Sequence, residues 1–107
     1  EITCPVRDGR STHVFHQYTV RVLGSDSQRR DALQQFLKQC GVPSFVYYPV
    51  PLHLLPIYKD DPTSCRTGTM DETIRATNEV LSLPMHTELT QAQQVQVVDA
   101  CRAFFNE

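Results

Sequence analysis

The chain has only four glycines in 107 residues, too few and too dispersed for a glycine-rich phosphate cradle. It also lacks a G-x-S-x-G elbow, an H-E-x-x-H helix and any C-x-x-C pair, so the common serine-nucleophile, zinc-hydrolase and dithiol chemistries have no foothold. No apolar run approaches the ~20 residues that a membrane span requires. Basic residues do not cluster beyond Arg29-Arg30, and the net charge is −2. A nucleic-acid partner, which needs a concentrated basic face, is therefore not expected. The opening residues, Glu1 to Pro5, have neither the basic start nor the apolar core of a signal peptide. The missing initiator methionine is what a processed or excised segment would show.

What is present reads as one globular, soluble domain near the lower end of comfortable domain size, with 40% hydrophobic and 21% charged residues. Cys4, Cys40, Cys65 and Cys101 are scattered. Four cysteines permit two disulfides in three connectivities. However, Cys40 and Cys101 fall on the apolar faces of predicted helices, where a free thiol is a small hydrophobe. With no secretory signal, four thiols in a reducing cytoplasm are expected.

The stretch HVFHQYTVRV (13–22) alternates, with Val14, His16, Tyr18 and Val20 on one side, and predicts a half-buried strand. Leu33, Phe36, Leu37 and Cys40 recur at helical spacing over about 27–40, and Gly41 is placed to end that helix. Residues 42–48 read as a second strand, and 59–69 as a polar, turn-rich connection. A short helix from Thr73 to Glu79 and a brief strand over 80–84 follow. Thr90-x-x-Gln93 is a capping box opening a terminal helix over 90–105, with Val95, Val98, Cys101 and Phe105 as its apolar stripe. The expected fold class is α/β, of the α+β sandwich type: a small, largely antiparallel sheet covered by the two longer helices. Leu33, Phe36, Leu37, Val98, Cys101 and Phe105 are its expected core.

Candidate chemistry is sparse. His13 and His16 would point to opposite faces of a strand and cannot jointly hold a metal; no metal site is expected. His86 lies in a loop before the last helix, where capping or solvation is the simpler role. Lys38 and Lys59 sit among polar neighbours and do not resemble desolvated lysines prepared for Schiff-base chemistry. No catalytic residue is assigned to this chain. The exception to the general blandness is YYPVPLHLLPIY (47–58), where no helix can run through Pro49, Pro51 and Pro56 and a central strand would lose its ladder donors. The stretch is too apolar for an ordinary solvated loop. His53 sits between two of these prolines, which reduce the entropy lost in holding its ring in one pose.

The succession HVFHQYTVRV (13–22), RDALQQFLKQCG (30–41), YPVPLH (48–53) and EVLSLPMH (79–86) resembles the C-terminal region of the DegT/DnrJ/EryC1/StrS nucleotide-sugar aminotransferases. The likeness runs from about residue 13 to residue 105. It implies the small C-terminal domain of a fold-type-I enzyme, residues 1–107 forming a single domain, with the N-terminal pyridoxal-phosphate domain lying outside this chain. It further implies amino transfer from an amino acid, glutamate being the expected donor, to a keto sugar on a nucleotide. The product sugars would serve surface polysaccharide, lipopolysaccharide or antibiotic synthesis. The parent would be a cytoplasmic homodimer. This domain would pack over its own cofactor domain, bind no cofactor by itself and be inactive alone. By the same likeness the 47–58 loop is a stiff lip of the substrate cleft, presenting His53, Tyr48 and Tyr47. A stand-alone binding module or an oligomerisation domain is the alternative.

The chain departs from the family pattern at three places. Tyr47 stands where histidine is common, and Leu55 where glutamine is common, so two polar groups near the lip are gone. Ile74 follows Thr73 where an acidic residue is common, which removes a first-turn carboxylate worth ~0.3–1 kcal/mol at a helix N-terminus.

Overall fold

The computed structural model describes residues 2–24, 26–60, 63 and 68–106. Its centre is β2 (Tyr18–Val22), the middle strand of a three-stranded antiparallel sheet. β1 (Ile2–Thr3) lies on one side, pairing Ile2 with Val22 and Thr3 with Arg21. β3 (Val80–Leu83) lies on the other, in a register from Tyr18 opposite Leu83 to Arg21 opposite Val80. Because side chains alternate along a strand, Val20, Val22 and Leu81 share one face, and Thr19, Arg21 and Ser82 share the other. The second face is polar: the Thr19 and Ser82 hydroxyls are hydrogen-bonded across the strands at 2.9 Å.

Two helices cover the apolar face. α1 (Gln28–Gln39) contributes the fully buried Leu33 and Leu37, and α4 (Gln91–Asn106) contributes Ala100 and Cys101. Phe36 and Phe104 meet between the helices with ring centroids 5.6 Å apart. α1 stops as its sequence requires. Gly41 takes φ +73°, a left-handed conformation that costs glycine little. The Val42 N–H then donates to the Leu37 carbonyl at 2.8 Å, and the Gly41 N–H to that of Lys38 at 3.1 Å. This closure turns Val42 back into the core. At the start of α4 the capping box is formed in both directions: the Thr90 N–H donates to Gln93 Oε1 at 2.9 Å, and the Gln93 N–H to Thr90 Oγ1 at 3.3 Å.

The α/β class and the antiparallel sheet agree with expectation, as do both long helices. Several details are corrected. The strand expected over 13–22 begins only at Tyr18, because Phe15 adopts φ +47°, and its N–H donates to the His13 ring nitrogen Nδ1 at 2.8 Å. That local turn breaks the extended run. The strand expected over 42–48 shrinks to one bridge, in which Phe45 and Ser82 exchange bonds of 3.0 and 2.8 Å. Pro43 and Pro49 have no N–H to extend it. The stripe of α4 is rotated: Val97, Ala100, Cys101 and Phe104 face the core, whereas Val95 is exposed and Val98 is 45% exposed. Ala100 explains the choice, since a small side chain lets the helices approach closely. Phe36 and Phe105 are half-buried, while Leu33, Leu37 and Cys101 are inside as expected.

The short third helix starts earlier than Thr73. α3 (Asp71–Glu79) carries Asp71 and Glu72 in its first turn, so the carboxylate missing at Ile74 is replaced from upstream. The turn at Asp61-Pro62 and the thiol of Cys65 lie outside the described residues.

Two outcomes follow. In urea unfolding, Leu37→Ala is expected to cost ~2–5 kcal/mol, as for a filled core site, and Val98→Ala less than ~0.5 kcal/mol; equal losses would mean α4 is rotated the other way. Native-state alkylation near pH 8, followed by peptide mapping, is expected to label exposed Cys4 first and Cys101 last. Burial, helped by the neighbouring Cys4, pushes the Cys101 thiol up, so less reactive thiolate is present at that pH.

Candidate functional site

The 47–58 loop is ordered by its prolines and a few backbone bonds. Leu52–Leu54 forms one 3-10 turn, with the Leu54 N–H donating to the Pro51 carbonyl at 2.9 Å. α2 (Pro56–Lys59) follows, opened by proline, whose missing N–H would have had no helical partner. Most of the loop's large side chains point outward. Tyr48 is 74% exposed, and Val50, Leu52, Leu54, Ile57 and Tyr58 are exposed as well. An apolar ridge so open marks a contact surface.

His53 behaves differently from its neighbours. Its side chain is half-buried, and its Nδ1 is shut off from solvent without a hydrogen-bond partner among the described residues. The ring therefore does not brace the loop through that nitrogen. A buried unpaired nitrogen is costly.

Tyr47 and Tyr48 are brought together, their ring centroids 6.4 Å apart, and Phe45 stacks on Tyr47 at 5.9 Å. The two tyrosines form one wall of an open groove of about 370 Å³. Glu72, Thr73, Ala76 and Thr77 of α3 form the other wall, with Val80 at the end. His53 does not line it. The chain thus offers an aromatic platform facing a helix that presents one carboxylate and two hydroxyls.

The α3 wall is held from behind. Glu79 has a side chain only 3% exposed, and it accepts hydrogen bonds from Arg21 Nε at 2.7 Å and Arg75 Nε at 3.1 Å. Its carboxylate keeps the Arg75 guanidinium even more firmly protonated than usual. Arg30, 5% exposed, reaches across from α1 and donates to the Thr77 and Val80 carbonyls at 3.0 and 3.2 Å. Sequence reasoning missed this whole wall. The spacing of Thr73, Ala76 and Thr77 marks a helix face, but only the register of β2 on β3 shows that Arg21 meets Glu79.

The residues present do not fit a pyridoxal phosphate. The chain's two lysines, Lys38 and Lys59, are both exposed, whereas a Schiff-base lysine is kept dry or beside a second cation to lower its pKa. Among the described residues no three of His, Cys, Asp and Glu gather to hold a metal ion, and no helix is long and apolar enough to cross a membrane.

Residues 1–102 match the DegT/DnrJ/EryC1/StrS aminotransferase family. A pleiotropic regulatory protein of Geobacillus stearothermophilus is 45% identical over 98 residues, 92% of this chain and 24% of the relative. The dTDP-3-amino-3,4,6-trideoxy-alpha-D-glucose transaminase of Streptomyces venezuelae is 34% identical over 94% of this chain and 25% of its own length. The UDP-2-acetamido-2-deoxy-3-oxo-D-glucuronate aminotransferase of Pseudomonas aeruginosa is 33% identical over 98% of this chain and 26% of its own. Among solved structures, S. venezuelae DesV in complex with a ketimine intermediate superposes with a TM-score of 0.84 at 32% identity, over 99% of this chain and 27% of that one. A Brucella abortus aminotransferase of the same family superposes equally well, at 0.84 and 29% identity, over 99% of this chain and 26% of its own. The chain spans about a quarter of the length of the relatives it matches, and it belongs to the DegT/DnrJ/EryC1/StrS aminotransferase family.

Proposed function

We propose that this chain is the small C-terminal domain of a longer aminotransferase that moves an amino group from an amino acid, glutamate being the expected donor, to a keto sugar carried on a nucleotide. The observation that carries the reading is the groove between the paired tyrosines and α3, in a family whose S. venezuelae and P. aeruginosa members are named for dTDP- and UDP-linked sugars. The pyridoxal phosphate, its lysine and its phosphate contacts belong to the polypeptide outside this chain. The product amino sugars would enter surface polysaccharides, lipopolysaccharide or antibiotics. The parent works in the cytoplasm as a homodimer.

In that enzyme this domain binds and encloses; it performs no bond-making step. Tyr48 and Tyr47 offer rigid aromatic faces at low entropic cost, because Pro49 and Pro51 already restrict the loop. The exposed ridge of Leu52, Leu54 and Ile57 packs against the preceding domain and keeps water from the cleft. His53 meets substrate or the cleft mouth through the exposed part of its half-buried side chain.

A panel of nucleotide-linked keto sugars, assayed with the full-length protein, tests the substrate class. Turnover of a non-nucleotide ketone alone would remove it, and a protein active on neither would favour a stand-alone binding or oligomerisation module. In the same protein His53→Ala is expected to lower kcat/KM by the equivalent of ~1–3 kcal/mol with little change in Tm. Normal kinetics with a lowered Tm would make His53 a loop brace. For the isolated chain, incubation with pyridoxal phosphate, borohydride reduction and peptide mapping are expected to give only partial, scattered labelling of Lys38 and Lys59. One stoichiometric adduct accompanied by amino transfer would contradict the assignment of catalysis to the missing domain.

A further inference from the structure

The groove has one wall on a loop stiffened by proline and the other on a nine-residue helix too short to hold its own pose. α3 is exposed along most of its length, so its orientation must be fixed by a few contacts. Those contacts converge at its C-terminal end. The Glu79 carboxylate is buried and held by Arg21 of β2, and the chain enters β3 at the next residue, Val80, which pairs with Arg21 itself. The ion pair and the strand register therefore fix the same point twice.

Each residue of an α-helix advances the azimuth by about 100°. Thr73, Ala76 and Thr77, the groove side of α3, consequently point on average about 130° round the axis from the Arg75–Glu79 edge. Anchoring Glu79 sets the rotation of the helix, and that rotation decides which side chains look across at Tyr47 and Tyr48. Arg75 extends the anchor one turn back, reaching Glu79 at 3.1 Å and Glu72 on the groove rim at 3.5 Å.

Resting on the reading of the groove as a wall of the nucleotide-sugar site, we propose that Arg21 is a positioning residue for nucleotide recognition, acting through Glu79 to hold α3 in register with the two tyrosines. Arg21 does not line the groove and touches no ligand. Removing it leaves a buried carboxylate with only the more exposed Arg75 as partner, and an under-compensated buried charge moves toward water. For Glu79 that movement is a roll of α3, which carries the groove face away from Tyr48.

The test uses the full-length protein, with uridine and thymidine 5′-diphosphates as calorimetric probes and thermal unfolding as the control. Tyr48→Ala reports on the groove directly. Arg21→Met, which keeps most of the side chain's apolar stem, is expected to weaken binding of the better probe by about 10- to 100-fold. KM for the nucleotide sugar should rise in parallel while KM for the amino donor stays unchanged. Arg21→Lys, which restores a cation facing Glu79, is expected to recover most of the loss. Should Arg21→Met fail to fold, Glu79→Gln decides instead, because it removes the charge and keeps a hydrogen-bonding oxygen; it too is expected to weaken the probe at near-normal Tm. Weak binding by Tyr48→Ala with undiminished binding by Arg21→Met, or by Glu79→Gln in its place, would overturn the positioning role and leave the groove standing. Undiminished binding by all variants, or no binding by the unaltered protein, would overturn the reading of the groove and the positioning role with it.

Discussion

Water is kept from one face of the sheet where Val20, Val22 and Leu81 meet Leu33 and Leu37, the most deeply buried large side chains among the described residues. Each such side chain contributes ~1.5–3 kcal/mol when withdrawn from water. In a domain of this size a core of a few residues is most of what opposes chain entropy. The constraint has a second effect. With the helices committed to the face of Val20 and Val22, the strand period of two forces Thr19, Arg21 and Ser82 onto the reverse face. That face cannot be another core, so it is built from hydrogen bonds and an ion pair, and the groove lies on that side. The polar site is thus the geometrical complement of the apolar core.

Much of the core was legible because its signals are local. The helical spacing of Leu33 and Leu37, the glycine after α1 and the Thr90–Gln93 box each need only a few residues of context. The rest depended on where elements meet. α4 is apolar around more than one stripe, so sequence alone could not choose between Val95–Val98 and Val97–Ala100; the packing partner chose. The alternation of residues 13–17 was a true pattern overridden by a left-handed turn at Phe15, where a histidine nitrogen takes the backbone N–H that a neighbouring strand would have used. Proline's missing donors likewise undid the strand written in the β-branched and aromatic residues after Val42.

The candidate site divides in the same way. The loop announced itself through three prolines among apolar side chains, and the structure does bring Tyr47 and Tyr48 together. The facing wall was invisible. Its members are ordinary threonines, an alanine and a glutamate, and they matter only because Arg21 and Arg30, distant in sequence, fix the helix that bears them, Arg21 through Glu79. His53, singled out by sequence, does not line the groove, and its Nδ1 has no hydrogen-bond partner among the described residues. Residue identity was a good guide to rigidity and a poor guide to juxtaposition.

Both margins of the sheet are short. β1 is two residues long, and on the far side Phe45 alone among the described residues pairs with β3. A long bare strand is a template on which a second chain can add its own backbone, and this domain offers almost none. In the proposed parent enzyme, contacts with other polypeptide would then run through side chains, chiefly the exposed ridge of the proline loop, whose shape is specific in a way that a ladder of amides is not. Seating against a larger neighbour would be governed by the fit of leucine, isoleucine and tyrosine side chains, and strand exchange would find little bare edge among the described residues on which to begin.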